Sequence, residues 1–177
     1  MIERIAETCL MFAYGSNMLT NRIRQRCPSA TALGVAELVR YELRWHKRST
    51  DRSAKCNIIP TEQSRMKVYG VLYRIAVAEK PKLDSAEGLG SGYEERTVTV
   101  SCNRELYDAY VYYATSIDDA LKPYTWYKAL VVAGAKEHGL PAEYVARLVA
   151  TEAIEDQDGE RHAKKMAIVD GSTEMTR

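Results

Sequence analysis

Residues 95–114 constrain the fold more than any other stretch of this 177-residue chain. Thr97 and Thr99 are opposed to Val98 and Val100, the period of a half-buried β-strand, and residues 95–102 keep that alternation throughout. Asn103-Arg104 suits a tight turn, from which residues 105–114 return antiparallel. Further strands are expected at 31–38, 39–45, 56–59 (ended by Pro60) and 67–75, from their Val, Leu, Tyr and Trp content. Residues 77–87 read as a helix with Pro81 in its first turn and Gly88 at its end. Residues 125–136 read as a second helix, terminated by His138-Gly139. Pro141 opens a third, in which Tyr144, Val145, Leu148 and Val149 recur at helical spacing. Residues 47–55 are polar and expected to form a mobile loop. The sequence turns polar again from Glu155, and the last dozen residues are expected to be loosely held. The fold class that follows is α+β, a single domain with a mixed or antiparallel sheet and flanking helices. Its expected extent is 1–155, with a partly ordered C-terminal extension over 156–177.

The N-terminal stretch organises the rest. An apolar run through Leu10, Met11, Phe12 and Ala13 suits a buried strand, and Tyr14-Gly15-Ser16-Asn17-Met18 interrupts it. Gly15 permits a sharp turn, and Ser16 or Asn17 can cap the helix that follows. In that helix Leu19 and Ile23 share a core-facing side while the arginines face water, until Cys27-Pro28 stops it. A strand, a small-residue turn and a helix start aim backbone N–H groups and the positive end of a helix dipole at one place, which suits an anion. Such junctions also occur as plain structural turns, so the reading needs a second constellation.

Composition narrows the function classes. Lysine plus arginine (25) nearly balances aspartate plus glutamate (24), so no global field argues for nucleic acid or an anionic membrane. The local clusters at 22–26 and 44–48 are read as solvated faces. Cys9, Cys27, Cys56 and Cys102 are scattered, without a Cys-x-x-Cys pair or a histidine at ligand spacing. Reduced thiols, no metal, no cofactor and a cytoplasmic location are the expectations. Residues 1–7 carry charges where a signal peptide needs an apolar stretch, and no run reaches membrane-spanning length. Ser16 lacks a Gly-x-Ser-x-Gly elbow, and His46, His138 and His162 stand in no triad context. Twelve tyrosines against one phenylalanine suggest hydroxyls used as hydrogen-bond donors in a wet cavity.

The second constellation is Asp84-Ser85-Ala86-Glu87-Gly88, some seventy residues after Tyr14-Gly15-Ser16-Asn17, with Tyr127-Lys128 and a stretch around 134–144 further on. In this order these motifs resemble the gamma-glutamylcyclotransferase family, a likeness that runs from about residue 11 to about 153. The resemblance implies a sheet curved towards a small barrel. It also implies lyase or acyltransferase chemistry on a small-molecule γ-glutamyl substrate, releasing 5-oxoproline and an amino acid or amine. It assigns Glu87 as general base and acid, and Tyr14, Gly15, Ser16, Asn17, Met18, Tyr110 and Tyr127 to substrate binding. Tyr110, Tyr112 and Tyr113 leave the strand register open, and Tyr93 or Glu94 falls where relatives carry a further tyrosine. A glutamate in this role is expected to be partly withdrawn from water. Open alternatives are a cyclotransferase that deprotects a biosynthetic intermediate, or a non-catalytic anion-binding module. The leaving amine and a homodimeric state are not readable.

Overall fold

The computed structural model describes residues 7–171. The charged first six residues and the last six of the expected extension lie outside them. The chain runs β1 (Thr8–Ala13), a 3-10 turn (Ser16–Met18) and α1 (Thr20–Arg26), then β2 (Thr31–Val39), β3 (Tyr41–Arg48), β4 (Ala54–Pro60) and β5 (Lys67–Ala76). A second 3-10 turn (Val77–Glu79) leads into α2 (Lys80–Glu87), then β6 (Tyr93–Cys102), β7 (Glu105–Ala114), α3 (Thr125–Glu137), α4 (Ala142–Ala150) and α5 (Gly159–Val169).

Five strands close a barrel in the order β1-β5-β2-β6-β7. Its pairs are antiparallel except at the seam, where β1 and β7 meet in parallel at Met11 and Tyr110. The β6–β7 hairpin has the register its alternation predicts, with Val98 opposite Ala109 and Val100 opposite Tyr107. Asn103 and Arg104 both take positive φ (52° and 67°), the turn geometry that matches strand twist. β5 lies between β1 and β2, and its Val68, Val71, Leu72, Tyr73 and Ile75 are fully buried. A side chain at Gly70 would meet Ala13 O at 2.3 Å, so this position lets β5 press against β1.

The remaining strands, β3 and β4, form a separate two-stranded sheet. Their connection is tied down rather than free: Arg48 N–H donates to Ser116 O, Ala54 N–H to Lys122 O, and the Tyr124 hydroxyl to Asp51 O. Its polar side chains are engaged as well, Arg48 with Asp118 (2.8 Å) and Asp51 with Ser53 (2.7 Å) and Lys55 (2.8 Å). α5 is an element the polarity after Glu155 concealed. Asp158 caps it by accepting from Arg161 N–H, and it packs against α3 and α1. No helix among the described residues is long and apolar enough to cross a membrane.

Candidate active site

Beyond Ala13 the backbone leaves the barrel and coils into the 3-10 turn, with Met18 N–H bonded to Gly15 O and Leu19 N–H to Ser16 O. Neither Ser16 nor Asn17 caps a helix, because no side-chain cap bond forms at either helical start. Both side chains line a cavity instead. The turn is clamped on three sides. The Tyr73 hydroxyl donates to Met18 O (2.8 Å), the Tyr14 hydroxyl donates to Tyr112 O (2.6 Å), and α3 lies against the turn at Gly134. A Cβ at Gly134 would meet Leu19 N at 2.5 Å.

α2 brings the carboxylate. Glu87 is its last residue, and Gly88 ends the helix in the left-handed region (φ 74°). Asn17 Nδ2 donates to Glu87 Oε1 at 3.0 Å, joining residues seventy positions apart. Arg26 Nη1 pairs with the same carboxylate oxygen and also donates to Asn17 Oδ1 (2.9 Å). Glu87 is partly buried, its side chain 16% exposed. The α2 backbone is held in place by Asp84, which accepts from the Tyr112 hydroxyl (2.5 Å) and from Lys80 (3.0 Å).

The cavity between turn and carboxylate holds about 40 Å³, and Glu87 is the sole carboxyl among its described lining residues. Burial pushes the hydroxyls of Tyr14, Tyr93 and Tyr127 well above the ordinary phenol range. Burial and the Asp84 carboxylate do the same to Tyr112, and burial raises the Cys56 thiol to about 12. These groups stay protonated at neutral pH. The hydroxyls are not alike as donors. Tyr93 gives its proton to Cys56 O (2.7 Å) and Tyr14 to Tyr112 O, so both present lone pairs to the cavity. The Tyr127 hydroxyl accepts from Cys56 N–H (3.1 Å), and its own proton faces only the weakly accepting Cys56 sulfur. The uniform set of donors expected from the tyrosine count is therefore a mixed set.

Tyr14, Gly15, Ser16, Asn17, Glu87 and Tyr127 are gathered at this one cavity. Met18 is fully buried beneath the turn and does not line it. Tyr110 does not line it either. β7 sends Tyr110 and Tyr112 to one face, and it is Tyr112 that reaches the cavity while Tyr110 packs edge-on behind it, ring centres 5.7 Å apart. Tyr113 faces the other way and donates to Glu94. Tyr93 and Glu94 divide as strand alternation requires, Tyr93 inward and Glu94 outward.

A larger chamber of about 260 Å³ adjoins the cavity and shares Ser16, Glu87, Tyr93 and Tyr127 with it. Arg22 and Arg26 line it, contrary to the expectation that the α1 arginines face water. Arg22 is 9% exposed and donates from Nε to Ser16 Oγ (3.0 Å). The signal was present, since two arginines four apart share a helix face next to the turn. His46 and Lys47 are likewise buried rather than solvated. A bulge between Trp45 and Lys47 turns both inward, His46 onto Asp119 (2.8 Å) and Asn57 (3.0 Å), Lys47 over the Tyr93 ring (4.6 Å). Among the described residues no group of three or more His, Cys, Asp or Glu is placed to hold a metal ion.

The AIG2-like family model matches residues 67–148, from the start of β5 to within α4. Curated gamma-glutamylcyclotransferases of Homo sapiens and Mus musculus are each 36% identical to the chain, over 152 and 158 residues. In both cases 82% of this chain and 80% of the relative are covered. A solved structure described as gamma-glutamyl cyclotransferase matches with a TM-score of 0.81 at 30% identity, over 93% of this chain and 99% of that one.

Proposed function

Since the chain belongs to the gamma-glutamylcyclotransferase family and is an enzyme of that kind, we propose that Glu87 carries the proton transfers of its reaction. The Tyr14–Asn17 turn then holds the glutamyl unit, with Met18 anchoring that turn from below. The observation that carries this reading is the 3.0 Å bond between Asn17 of the turn and Glu87, the one carboxylate among the described residues lining the cavity.

A γ-glutamyl compound contains both reacting groups, so neither an enzymic nucleophile nor a covalent intermediate is required. Glu87 takes a proton from the substrate α-ammonium. The freed amine attacks the γ-carbonyl of the same glutamyl unit, forming the C–N bond of a five-membered ring and an oxyanion. Collapse of the oxyanion breaks the bond to the leaving nitrogen as the proton held on Glu87 passes to it. The extra proton on the ring nitrogen then passes through the regenerated carboxylate to the released amine, which leaves as its ammonium. The products are 5-oxoproline and a free amine or amino acid. Holding the two groups in reactive geometry can be worth effective molarities of ~10⁵–10⁸ M, about 7–11 kcal/mol of barrier.

The polarity of the lining suits these steps. The committed hydroxyls of Tyr14 and Tyr93 offer lone pairs to an ammonium. The proton of Tyr127, which a substrate oxygen can take over from the weakly accepting Cys56 sulfur, and the N–H groups at the start of the 3-10 turn suit a carboxylate or the oxyanion. At about 40 Å³ the cavity seats only the reacting end, and the rest of the substrate extends into the adjoining chamber. The substrate ammonium would share Glu87 with Arg26, and the Asn17 bond keeps the carboxylate aimed while it does.

The test is release of 5-oxoproline, followed by mass spectrometry, from a panel of γ-glutamyl amino acids, γ-glutamyl amines and glutathione. Wild-type protein should release it, and Glu87→Gln should fold yet lose at least about a hundredfold in turnover. Near wild-type turnover in that variant would remove Glu87 from the mechanism.

A further inference from the structure

We infer that the outer chamber selects γ-glutamyl substrates whose leaving half carries a second anionic group, a carboxylate or phosphate in addition to the α-carboxylate of an amino acid. The inference rests on the cyclotransferase reading above and names the substrate class within it.

The charge balance of the chamber is the starting point. Arg22, Arg26, Lys47, Lys55, Arg161 and Lys165 line it, against the carboxylates Asp51 and Glu87, in a chain whose net charge is only +1. Three of these cations are already paired. Arg26 is matched by Glu87, Lys55 by Asp51 (2.8 Å), and Arg161 by Asp156 (2.5 Å) and Asp158 (3.5 Å). Arg22, Lys47 and Lys165 have no carboxylate within 4.0 Å among the described residues. Each is held in place by something other than an anion: Arg22 by Ser16 Oγ, Lys47 by the Tyr93 ring, Lys165 by the Trp126 ring (5.6 Å).

Cations drawn together in a partly dry recess repel one another and give up hydration, so their grouping costs stability unless a ligand neutralises it. Arg22 is bonded to Ser16 Oγ of the turn, so on this reading it belongs to the glutamyl side of the chamber. Lys47 and Lys165 remain for the leaving half. A neutral amino acid brings one α-carboxylate and satisfies one of them; a second anion satisfies the other. The chamber has room for such a group, since its 260 Å³ far exceeds the space at the reacting end.

The experiment compares kcat/KM for 5-oxoproline release within two pairs: the near-isosteric γ-glutamyl-glutamate and γ-glutamyl-glutamine, and γ-glutamyl-O-phosphoserine with its unphosphorylated parent γ-glutamyl-serine. The anionic member of at least one pair should be favoured by about tenfold or more, as for a charge-assisted contact in a recess. Which pair shows the gap assigns carboxylate or phosphate. The gap should narrow in Lys165→Gln, persist in Lys165→Arg, and shrink in the wild-type protein between about 0.05 and 0.5 M salt. Equal or reversed kcat/KM in both pairs, with 5-oxoproline formed from every member, overturns the inference and leaves the cyclotransferase reading standing. No 5-oxoproline from any member, or from the wider panel, defeats that reading and this one with it.

Discussion

Tyr127 differs from the other cavity tyrosines in what its hydroxyl still has to offer. It accepts from Cys56 N–H and its proton faces only the weakly accepting Cys56 sulfur, whereas Tyr14 and Tyr93 already donate to backbone carbonyls. Tyr127→Phe should therefore lower kcat/KM by about ten- to hundredfold, a loss steady-state kinetics would read directly, and should also lower thermal stability because it leaves Cys56 N–H without its buried acceptor. Tyr93→Phe leaves Cys56 O without its buried donor and should likewise lower thermal stability, with a smaller loss of turnover because the proton it removes is not available to substrate. Lys165 supplies a pH prediction. Burial first, then Arg22, Arg26, Lys164 and Lys55, bring its pKa down to about 8, with Asp51 and Glu87 the carboxylates facing the same chamber. A lysine with a lowered pKa keeps its charge below that value and loses it above. The preference for an acidic leaving half should thus be strongest near neutrality and fade as pH rises past about 8. Much of this residue-level detail was legible beforehand. Motif order led to the turn, Glu87 and Tyr127, and strand alternation was enough to separate Tyr93 from Glu94. The choice between Tyr110 and Tyr112 was not legible, since both face the same way and only depth along the barrel distinguishes them.

At the scale of elements, the turn owes its place to what presses on it. α3 crosses it at Gly134 without room for a Cβ, which would meet Leu19 N at 2.5 Å and Met18 C at 2.7 Å. Gly134→Ala should cost about 1–3 kcal/mol, the usual range for overpacking, and should impair turnover in the protein that remains folded, because the shifted backbone carries Ser16 and Asn17. Chemical denaturation together with kinetics at a temperature well below the transition separates the two effects. Three features of the elements were hidden for physical reasons. The bulge in β3 breaks the period-2 pattern, so His46 and Lys47, adjacent in sequence, both face inward. α1 buries the aliphatic stem and head of Arg22 together, which a rule placing arginines in water does not anticipate. α5 is polar along much of its length because it caps a polar chamber: Lys165 lines that chamber, and so does Arg161, which is paired with Asp156. Its one clear sequence signal was Asp158-Gly159-Glu160, a capping residue followed by an acidic first turn.

For the whole molecule, barrel closure is what brings the early turn and the late carboxylate together. β1 delivers the turn at one strand end, β5 runs back beside β1 and leads through a 3-10 turn into α2, and α2 returns Glu87 over the mouth. The strands were legible one by one from their periodicity, whereas the barrel was expected only from the family resemblance, since the parallel seam between β1 and β7 rests on long-range pairing that no local pattern encodes. The balanced overall charge likewise concealed the basic chamber, because pairing and burial act locally. The central claim is that Glu87, set against the Tyr14–Asn17 turn, moves the protons of an intramolecular cyclisation. The most direct measurement is the rate of 5-oxoproline formation from one γ-glutamyl amino acid by wild type and Glu87→Gln, with circular dichroism verifying that both are folded. The account predicts rapid formation by the wild type and a rate reduced by at least about a hundredfold in the folded variant. Equal rates in two equally folded proteins would contradict it.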